Sequence, residues 1–226
     1  LLSMAEAFSF LDPLKTIPGI RVDFVERVRG VDVDGERDEV LARLKESHDA
    51  RVRQLGGHGG CWKAEQVHGC GIGVVGGEGG EHQGAATIAG VDGLVTRERG
   101  VTLGIYVADC GPIWIADSRN GAIGLLHSGK KGTELGILKQ GVGEMSRVFG
   151  SRPSDLVVVL GPCIRPPHYE TDFAAEIARQ ASALGVGEYH DEGIDTASQL
   201  SRYYSYRMEK GRTGRMLALI RRGEEA

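Results

Sequence analysis

Three residues whose side chains bind metals or act as nucleophiles follow apolar segments of the sequence. His68 ends the segment AEQVH, Cys110 ends GIYVADC and His127 ends GLLH, and a glycine lies within two residues of each. If these segments are strands that lie side by side, two imidazoles and one thiol converge at one edge of a sheet. A set of two histidines and one cysteine is typical of catalytic zinc sites, which keep a fourth position open for water.

Other interpretations of the same residues need no metal. A histidine at a strand end can be a hydrogen-bonded residue of a sheet edge, and a free cysteine is commonly a small buried hydrophobe. Cys110 and His127 can also pair as nucleophile and base. The stretch GLLHSGKK matches the GxxxxGK pattern of ATP-binding loops, but Lys131 follows where a Ser or Thr is required. We interpret that match as chance.

The composition is that of an ordinary globular protein. The chain has 226 residues, of which 41% are hydrophobic and 26% charged, and its formal net charge is −4. It lacks the basic character of a nucleic-acid-binding protein and the apolar run of about 20 residues that spans a membrane, and we expect no secretory leader. Its four cysteines form no CxxC pair, which favours a reducing, cytoplasmic setting. We therefore expect small-molecule partners and neither nucleic acid nor membrane.

Hydrophobic periodicity predicts the elements that position the three residues. Ten apolar segments are expected strands: RVDFVER, CWKAEQVHG, GIGVV, VDGLVT, VTLGIYVAD, PIWIAD, AIGLLH, DLVVVLG, YYSYRM and RMLALIRR. The second and third are expected to pair through a turn at residues 69–71, and residues 76–84 are expected to form a mobile glycine-rich loop. Three helices are expected: from Asp34 or Glu36 to Leu55, from an N-cap at Thr133 to Phe149, and from Phe173 to Leu184. The pattern predicts a single α+β domain over residues 1–226, a mixed β-sheet sandwich core with helices packed on its outer faces.

Six sequence blocks occur in the order found in one protein family: QVHG, DGLVT, LGIYVADCGPIWIAD, AIGLLHSGKKG, GPCIRPPHYE and YYSYRMEKGRTGRMLALI. In these blocks the chain resembles the polyphenol oxidase (laccase-domain) family, whose members are also described as multifunctional purine nucleoside phosphorylases. The resemblance implies an α/β sandwich fold. It also implies that His68, Cys110 and His127 bind zinc, with copper as the alternative metal.

The resemblance further implies an enzyme that takes nucleosides and phosphate. Family members are described as phosphorolysing adenosine, inosine and methylthioadenosine and as deaminating adenosine, and zinc chemistry suits attack on C6 of adenine. Cations are needed to hold phosphate near C1′, and Arg27, Lys131 and Arg207 are the candidates. Asp109 is expected either to orient a metal ligand as a hydrogen-bond acceptor or to cap a turn.

The chain departs from the family pattern at several polar positions. HAGWRG is replaced by HSGKKG, so Lys130 stands for the Trp and Lys131 for the Arg, while Asp32 and Met208 replace a Ser and an Arg. These changes are expected to weaken the binding of phosphate or ribose, whereas all three expected metal ligands are present.

Three alternative functions stay open at this point. One is a metal-free Cys/His hydrolase or amidase that acts on a peptidoglycan precursor. Another is a copper-dependent polyphenol oxidase, although a four-electron laccase needs several coppers and the chain has seven histidines and no HxH motif. The last is a catalytically weakened relative.

Overall fold

The computed structural model describes residues 9–57, 60–76 and 86–223, which form two mixed sheets with helices on their outer faces. The helices are α1 (Asp12–Lys15), α2 (Arg37–Gln54), α3 (Lys130–Glu134), α4 (Ile137–Phe149) and α5 (Phe173–Leu184). The strands are β1 (Ile20–Val25), β2 (Trp62–Ala64), β3 (Ile72–Val75), β4 (Thr87–Ile88), β5 (Gly93–Thr96), β6 (Thr102–Val107), β7 (Gly111–Asp117), β8 (Ile123–Ser128), β9 (Leu156–Leu160), β10 (Glu188–Asp191) and β11 (Met216–Arg222). The predicted α+β fold class is confirmed.

Each sheet combines parallel and antiparallel pairs. The first sheet has the strand order β1-β11-β6-β2-β4 and the second β10-β9-β7-β8-β5-β3. In the first sheet β11 runs antiparallel to both β1 and β6, and β2 runs parallel to both β6 and β4. In the second sheet the central strands β9, β7, β8 and β5 are antiparallel, and the edge strands β10 and β3 are added in parallel.

Side-chain alternation along the strands divides the core into layers. On β11, Met216 packs between the two sheets, while the next residue, Leu217, packs on the outer face together with Val52 of α2. On β7, Trp114 points into the layer between the sheets and Ile115 points toward α4 and α5. The two-residue period thus buries both faces of the central strands, and the helices cover the outer faces.

Two of the three predicted helices form within their predicted ranges, and the third prediction is wrong. α2 and α5 lie within the predicted ranges. The helix predicted from an N-cap at Thr133 is instead two helices, α3 and α4, separated by Gly136 in the left-handed conformation at φ +76°. Thr133 lies inside α3, where its hydroxyl donates to the Gly129 carbonyl at 2.8 Å. Among the described helices, none is long and apolar enough to cross a membrane.

Three strand predictions are corrected. β2 ends at Ala64, earlier than predicted, because Gln66 and His68 adopt positive φ. β2 and β3 do not pair with each other, since they belong to different sheets. The segment YYSYRM forms turns instead of a strand, and β10 is an edge strand that the sequence pattern did not predict. The glycine-rich loop predicted over residues 76–84 lies outside the described residues, apart from Gly76.

Candidate metal centre

The three predicted ligands meet at one end of the sandwich, where the chain crosses between the sheets. His68 lies in the β2–β3 connection, Cys110 in the β6–β7 turn and His127 near the end of β8. One ligand atom from each residue lies within 4.8 Å of the others, and the two imidazole rings meet edge to face with centroids 4.9 Å apart. Within the described residues this is the one cluster of His, Cys, Asp or Glu side chains that could hold a metal ion. The ligands therefore come from both sheets, whereas the sequence suggested adjacent strands at one sheet edge.

The electrostatics of the trio favour a thiolate. Burial raises the pKa of the Cys110 thiol, but its contacts with His127 and His68 outweigh burial and lower the pKa to about 6. Burial lowers the pKa of His127, but Asp92 and Cys110 raise it to about 9. A thiolate is the form of cysteine that binds a metal or attacks an electrophile.

Backbone strain is concentrated around the trio. Gln66, His68, Asp109 and Lys210 are the described non-glycine residues with positive φ, and all four line one cavity. Such conformations cost of order 1–3 kcal/mol each and persist where surrounding contacts over-determine them, commonly at functional sites. Gln66 is held by two hydrogen bonds between its side-chain amide and the backbone of Tyr106, at 2.6 and 3.0 Å.

The cavity beside the trio has a volume of about 1000 Å³. Its described walls carry more positive than negative charge, although the chain as a whole has a net charge of −4. The cationic residues that line it are Arg37, Lys130, Lys131, Arg207, Lys210 and Arg215, and the carboxylates are Asp109 and Glu134. The volume suits a small molecule, and the excess of cationic side chains favours an anionic one.

Two of the three predicted anion-binding residues line the cavity. Lys131 does so at the start of α3. Arg207 lies in a turn and not on a strand; its guanidinium pairs with Glu170 at 3.0 Å and stacks over the Tyr169 ring, which also lines the cavity.

Arg27 is used elsewhere in the fold. Its guanidinium pairs with Glu209 at 2.7 Å and donates to the Tyr203 carbonyl at 3.1 Å, and it does not belong to the described lining of the cavity. Glu209 in turn accepts hydrogen bonds from Ser205 and Thr213. Arg27 therefore supports the turn that carries Arg207.

Asp109 also organises that turn. Its carboxylate accepts hydrogen bonds from the Thr196 hydroxyl at 2.8 Å, the Ser205 hydroxyl at 3.0 Å and the Arg207 backbone N–H at 2.7 Å. The carboxylate that contacts a member of the trio belongs to Asp92, whose Oδ1 lies 3.0 Å from Nδ1 of His127. Asp109 was expected either to orient a metal ligand or to cap a turn. These hydrogen bonds stabilise a turn.

Sequence reasoning overlooked Asp92, Arg37 and Arg215. Arg215 is half-buried, and its Nη1 donates to the carbonyls of Thr213 and Gly214 at 3.1 and 2.9 Å. Burial, followed by the nearby charge of Arg37, lowers the pKa of Arg215. An arginine after the turn GRTG and an aspartate directly before the buried segment GLVT were the available signals.

The departures from the family pattern differ in their position. Lys130 lines the cavity beside Lys131. Asp32 instead lies 3.4 Å from Arg43 in an ion pair, and Met208 is 43% exposed; neither belongs to the described lining. The replacements at Asp32 and Met208 therefore lie outside the described walls of the cavity.

The family is shown by comparison with known proteins. The model of the family described as multi-copper polyphenol oxidoreductase laccase matches residues 29–182 and 168–223. The chain belongs to this laccase family. Within the family it is similar to a purine nucleoside phosphorylase YlmD of Geobacillus stearothermophilus, with 33% identity over 71% of this chain and 72% of the relative.

Two further laccase-family comparisons agree. The chain is 30% identical to a purine nucleoside phosphorylase ORF3 of Streptomyces griseus, over 69% of this chain and 71% of that one. The crystal structure of YlmD from Geobacillus stearothermophilus superposes with a TM-score of 0.76 and 26% identity, covering 92% of this chain and 93% of that chain. The names of the curated relatives support an enzyme.

Proposed function

We propose that this chain is a zinc-dependent purine nucleoside phosphorylase that acts on adenosine, inosine or methylthioadenosine. The observation that carries the proposal is the convergence of His68, Cys110 and His127 on a cavity with cationic walls. Relatives that match about 70% of the chain are named purine nucleoside phosphorylases. The reaction needs a pocket for a purine, a site for phosphate and a way to stabilise the departing base, and the cavity offers candidates for each.

The trio fits zinc by its donor set. Two imidazoles and a thiol of lowered pKa are ligands that zinc prefers, and three protein ligands would leave a fourth coordination position free. A bound zinc ion would supply Lewis acidity at that position. Copper also accepts a His₂Cys set. A multi-copper oxidase needs more than one such site, and the described residues form a single cluster.

In phosphorolysis a phosphate oxygen bonds to C1′ of the ribose while the bond from C1′ to the purine nitrogen breaks. The electron pair leaves with the purine, which takes up a proton. We assign Lys131, Arg207 and Arg215 to the phosphate, because charged donors bind phosphate strongly and all three line the cavity. The aromatic rings of Tyr169 and Phe173, 6.0 Å apart, offer an apolar wall for the purine.

The test is a phosphorolysis assay on zinc-loaded protein. We expect adenine and ribose 1-phosphate from adenosine when phosphate is present, and no product after His127→Ala, which removes a ligand. His190→Ala is the matched control, since His190 is a half-exposed residue paired with Glu188 on β10 and should keep full activity.

Failure to release base from adenosine, inosine and methylthioadenosine would contradict the proposal. Bound metal without turnover would indicate the weakened relative. Activity of metal-free protein on a peptidoglycan precursor would indicate the Cys/His hydrolase.

Adenosine deamination is a second candidate for the same cavity. Zinc deaminases use a glutamate that is not a metal ligand to transfer protons, and Glu134 of α3 lines the cavity. We expect inosine from adenosine without phosphate, and its loss in Glu134→Gln. If inosine does not form, the phosphorylase proposal is unaffected.

A further inference from the structure

We infer that Asp92 is the positioning residue of the metal centre and that its single carboxylate fixes both histidine ligands. The inference rests on the proposed metal site and extends it to a residue outside the trio. Asp92 directly precedes β5, next to β8, which carries His127. Its side chain is fully buried.

The carboxylate of Asp92 has hydrogen-bond partners on both sides of the site. Oδ1 lies 3.0 Å from Nδ1 of His127 and accepts the backbone N–H of His68 at 2.8 Å. Oδ2 accepts the backbone N–H groups of Val67 at 3.2 Å and Gly69 at 2.7 Å. Three donors from the β2–β3 connection and one ring from β8 are therefore joined through one side chain.

These contacts determine which nitrogen of His127 can bind a metal. Backbone N–H groups can only donate, so Asp92 accepts at both oxygens, and this pattern favours the ionised carboxylate. An ionised carboxylate has no proton to give, so Nδ1 of His127 must be the donor. When the ring gives up its second proton to bind a metal, Nε2 carries the free electron pair and is the ligand atom.

The same carboxylate holds His68 in a strained backbone conformation. His68 has φ +58°, in the left-handed region that a non-glycine residue seldom adopts. The residues on either side of it also donate their N–H groups to Asp92, so the loop wraps around the carboxylate. The backbone adds further ties: the Gln66 N–H donates to the Val91 carbonyl, and the His127 N–H to the Asp92 carbonyl, at 2.9 and 2.8 Å.

The experiment compares Asp92→Asn with Asp117→Asn. Asn fills the same space, but its amide group would turn N–H donors toward the N–H groups of the loop. We expect zinc affinity, measured by competition with a chelator, to fall about 10–100-fold. The cobalt-substituted variant should also show an altered thiolate-to-metal absorption band. Asp117 is equally buried and accepts two backbone N–H groups in a turn outside the cavity lining, so its variant should match wild type in both measurements.

A second measurement uses wild-type protein, in case Asp92→Asn does not fold. In the zinc complex, the ¹⁵N resonances of His127 should show a protonated Nδ1 and a metal-bound Nε2. The reverse assignment overturns the inference. So does wild-type affinity in Asp92→Asn, an equal loss in Asp117→Asn, or failure of the wild-type chain to bind metal.

These outcomes are independent of the reaction. If the wild-type chain binds zinc and Asp92→Asn binds it weakly, but no nucleoside is cleaved, the proposed function fails while the role of Asp92 stands. If nucleosides are cleaved and Asp92→Asn binds zinc as well as wild type does, the role of Asp92 fails alone.

Discussion

At the scale of single residues, the site depends on close packing around the Cys110 thiol. Gly129, the residue before α3, is the point of closest approach: a Cβ placed on it would lie 2.6 Å from Sγ of Cys110. That separation is far shorter than a van der Waals contact between carbon and sulfur. Gly129 therefore leaves room for the Cys110 thiol. The two lysines that follow it, Lys130 and Lys131, line the cavity.

Gly129→Ala tests this requirement. We expect the added methyl group to displace Sγ of Cys110 and to weaken zinc binding about tenfold, which corresponds to 1.4 kcal/mol. Gly143→Ala on α4 is the control, because a Cβ there meets nothing within 4 Å. Its zinc affinity should equal that of wild type. Equal affinities in wild type and Gly129→Ala would show that the thiol does not need this space.

At the scale of elements, α2 buries a histidine against the first sheet. His48 is 1% exposed, and its ring lies 5.5 Å from that of Tyr106, which lines the cavity. Neither ring nitrogen of His48 makes a hydrogen bond of regular geometry. The nearby backbone of Arg215 favours the protonated ring, but this effect is the smaller one. Burial, together with the charge of Lys63, lowers the pKa of His48 to about 4. The helix therefore carries a neutral imidazole on the face that otherwise buries Val40, Leu44 and Val52.

This histidine should make stability depend on pH. Between pH 6.5 and pH 4 the unfolded chain binds a proton at His48 that the folded chain does not, so the free energy of unfolding decreases as the pH falls. The lowered pKa of His48 corresponds to a loss of about 3 kcal/mol in the free energy of unfolding over that interval. Above pH 6.5 the contribution of His48 is constant.

Urea unfolding at several pH values measures the effect. We expect a shallower pH dependence in His48→Leu than in wild type. The same slope in His48→Leu and wild type would contradict the assignment.

At the scale of the whole molecule, the two sheets together assemble the centre. β2 and β6 are neighbours in the first sheet, and their connections to the second sheet carry His68 and Cys110. His127 comes from β8 of the second sheet. A hydrogen bond from the Trp114 indole to the Leu219 carbonyl, at 2.9 Å, fixes the sheets to each other. The relative position of the sheets therefore sets the geometry of the ligands.

The sequence predicted those parts of the molecule that have a local pattern. Strands β5 to β9 and helices α2 and α5 follow from alternation and helical periodicity, and the trio follows from residue types at the ends of apolar segments. The two sheets could not be told apart, because the sequence pattern of β2 and β3 does not say which strands they join. The break before α4 was missed because Gly136 lies within an otherwise helical pattern.

Long-range partners explain the remaining differences. Arg27 was expected at an anion, but its partner Glu209 is supplied by a turn near the other end of the chain. The role of Asp92 has no signature in the sequence. The backbone N–H groups of residues 67–69 that donate to its carboxylate come close only when β5 and the β2–β3 connection meet. Side-chain roles at a site built from several connections are set by the tertiary fold and have no local signature.

The zinc content of the purified chain is the measurement that tests the central claim most directly. After loading and dialysis, we expect one zinc per chain in wild type and none in Cys110→Ala. Cys61→Ala serves as the control: Cys61 is a free cysteine like Cys110, but it is buried under α2 and burial raises the pKa of its thiol. It should retain the full equivalent. A wild-type chain without zinc, or a Cys110→Ala chain that retains it, would contradict a metal centre built from His68, Cys110 and His127.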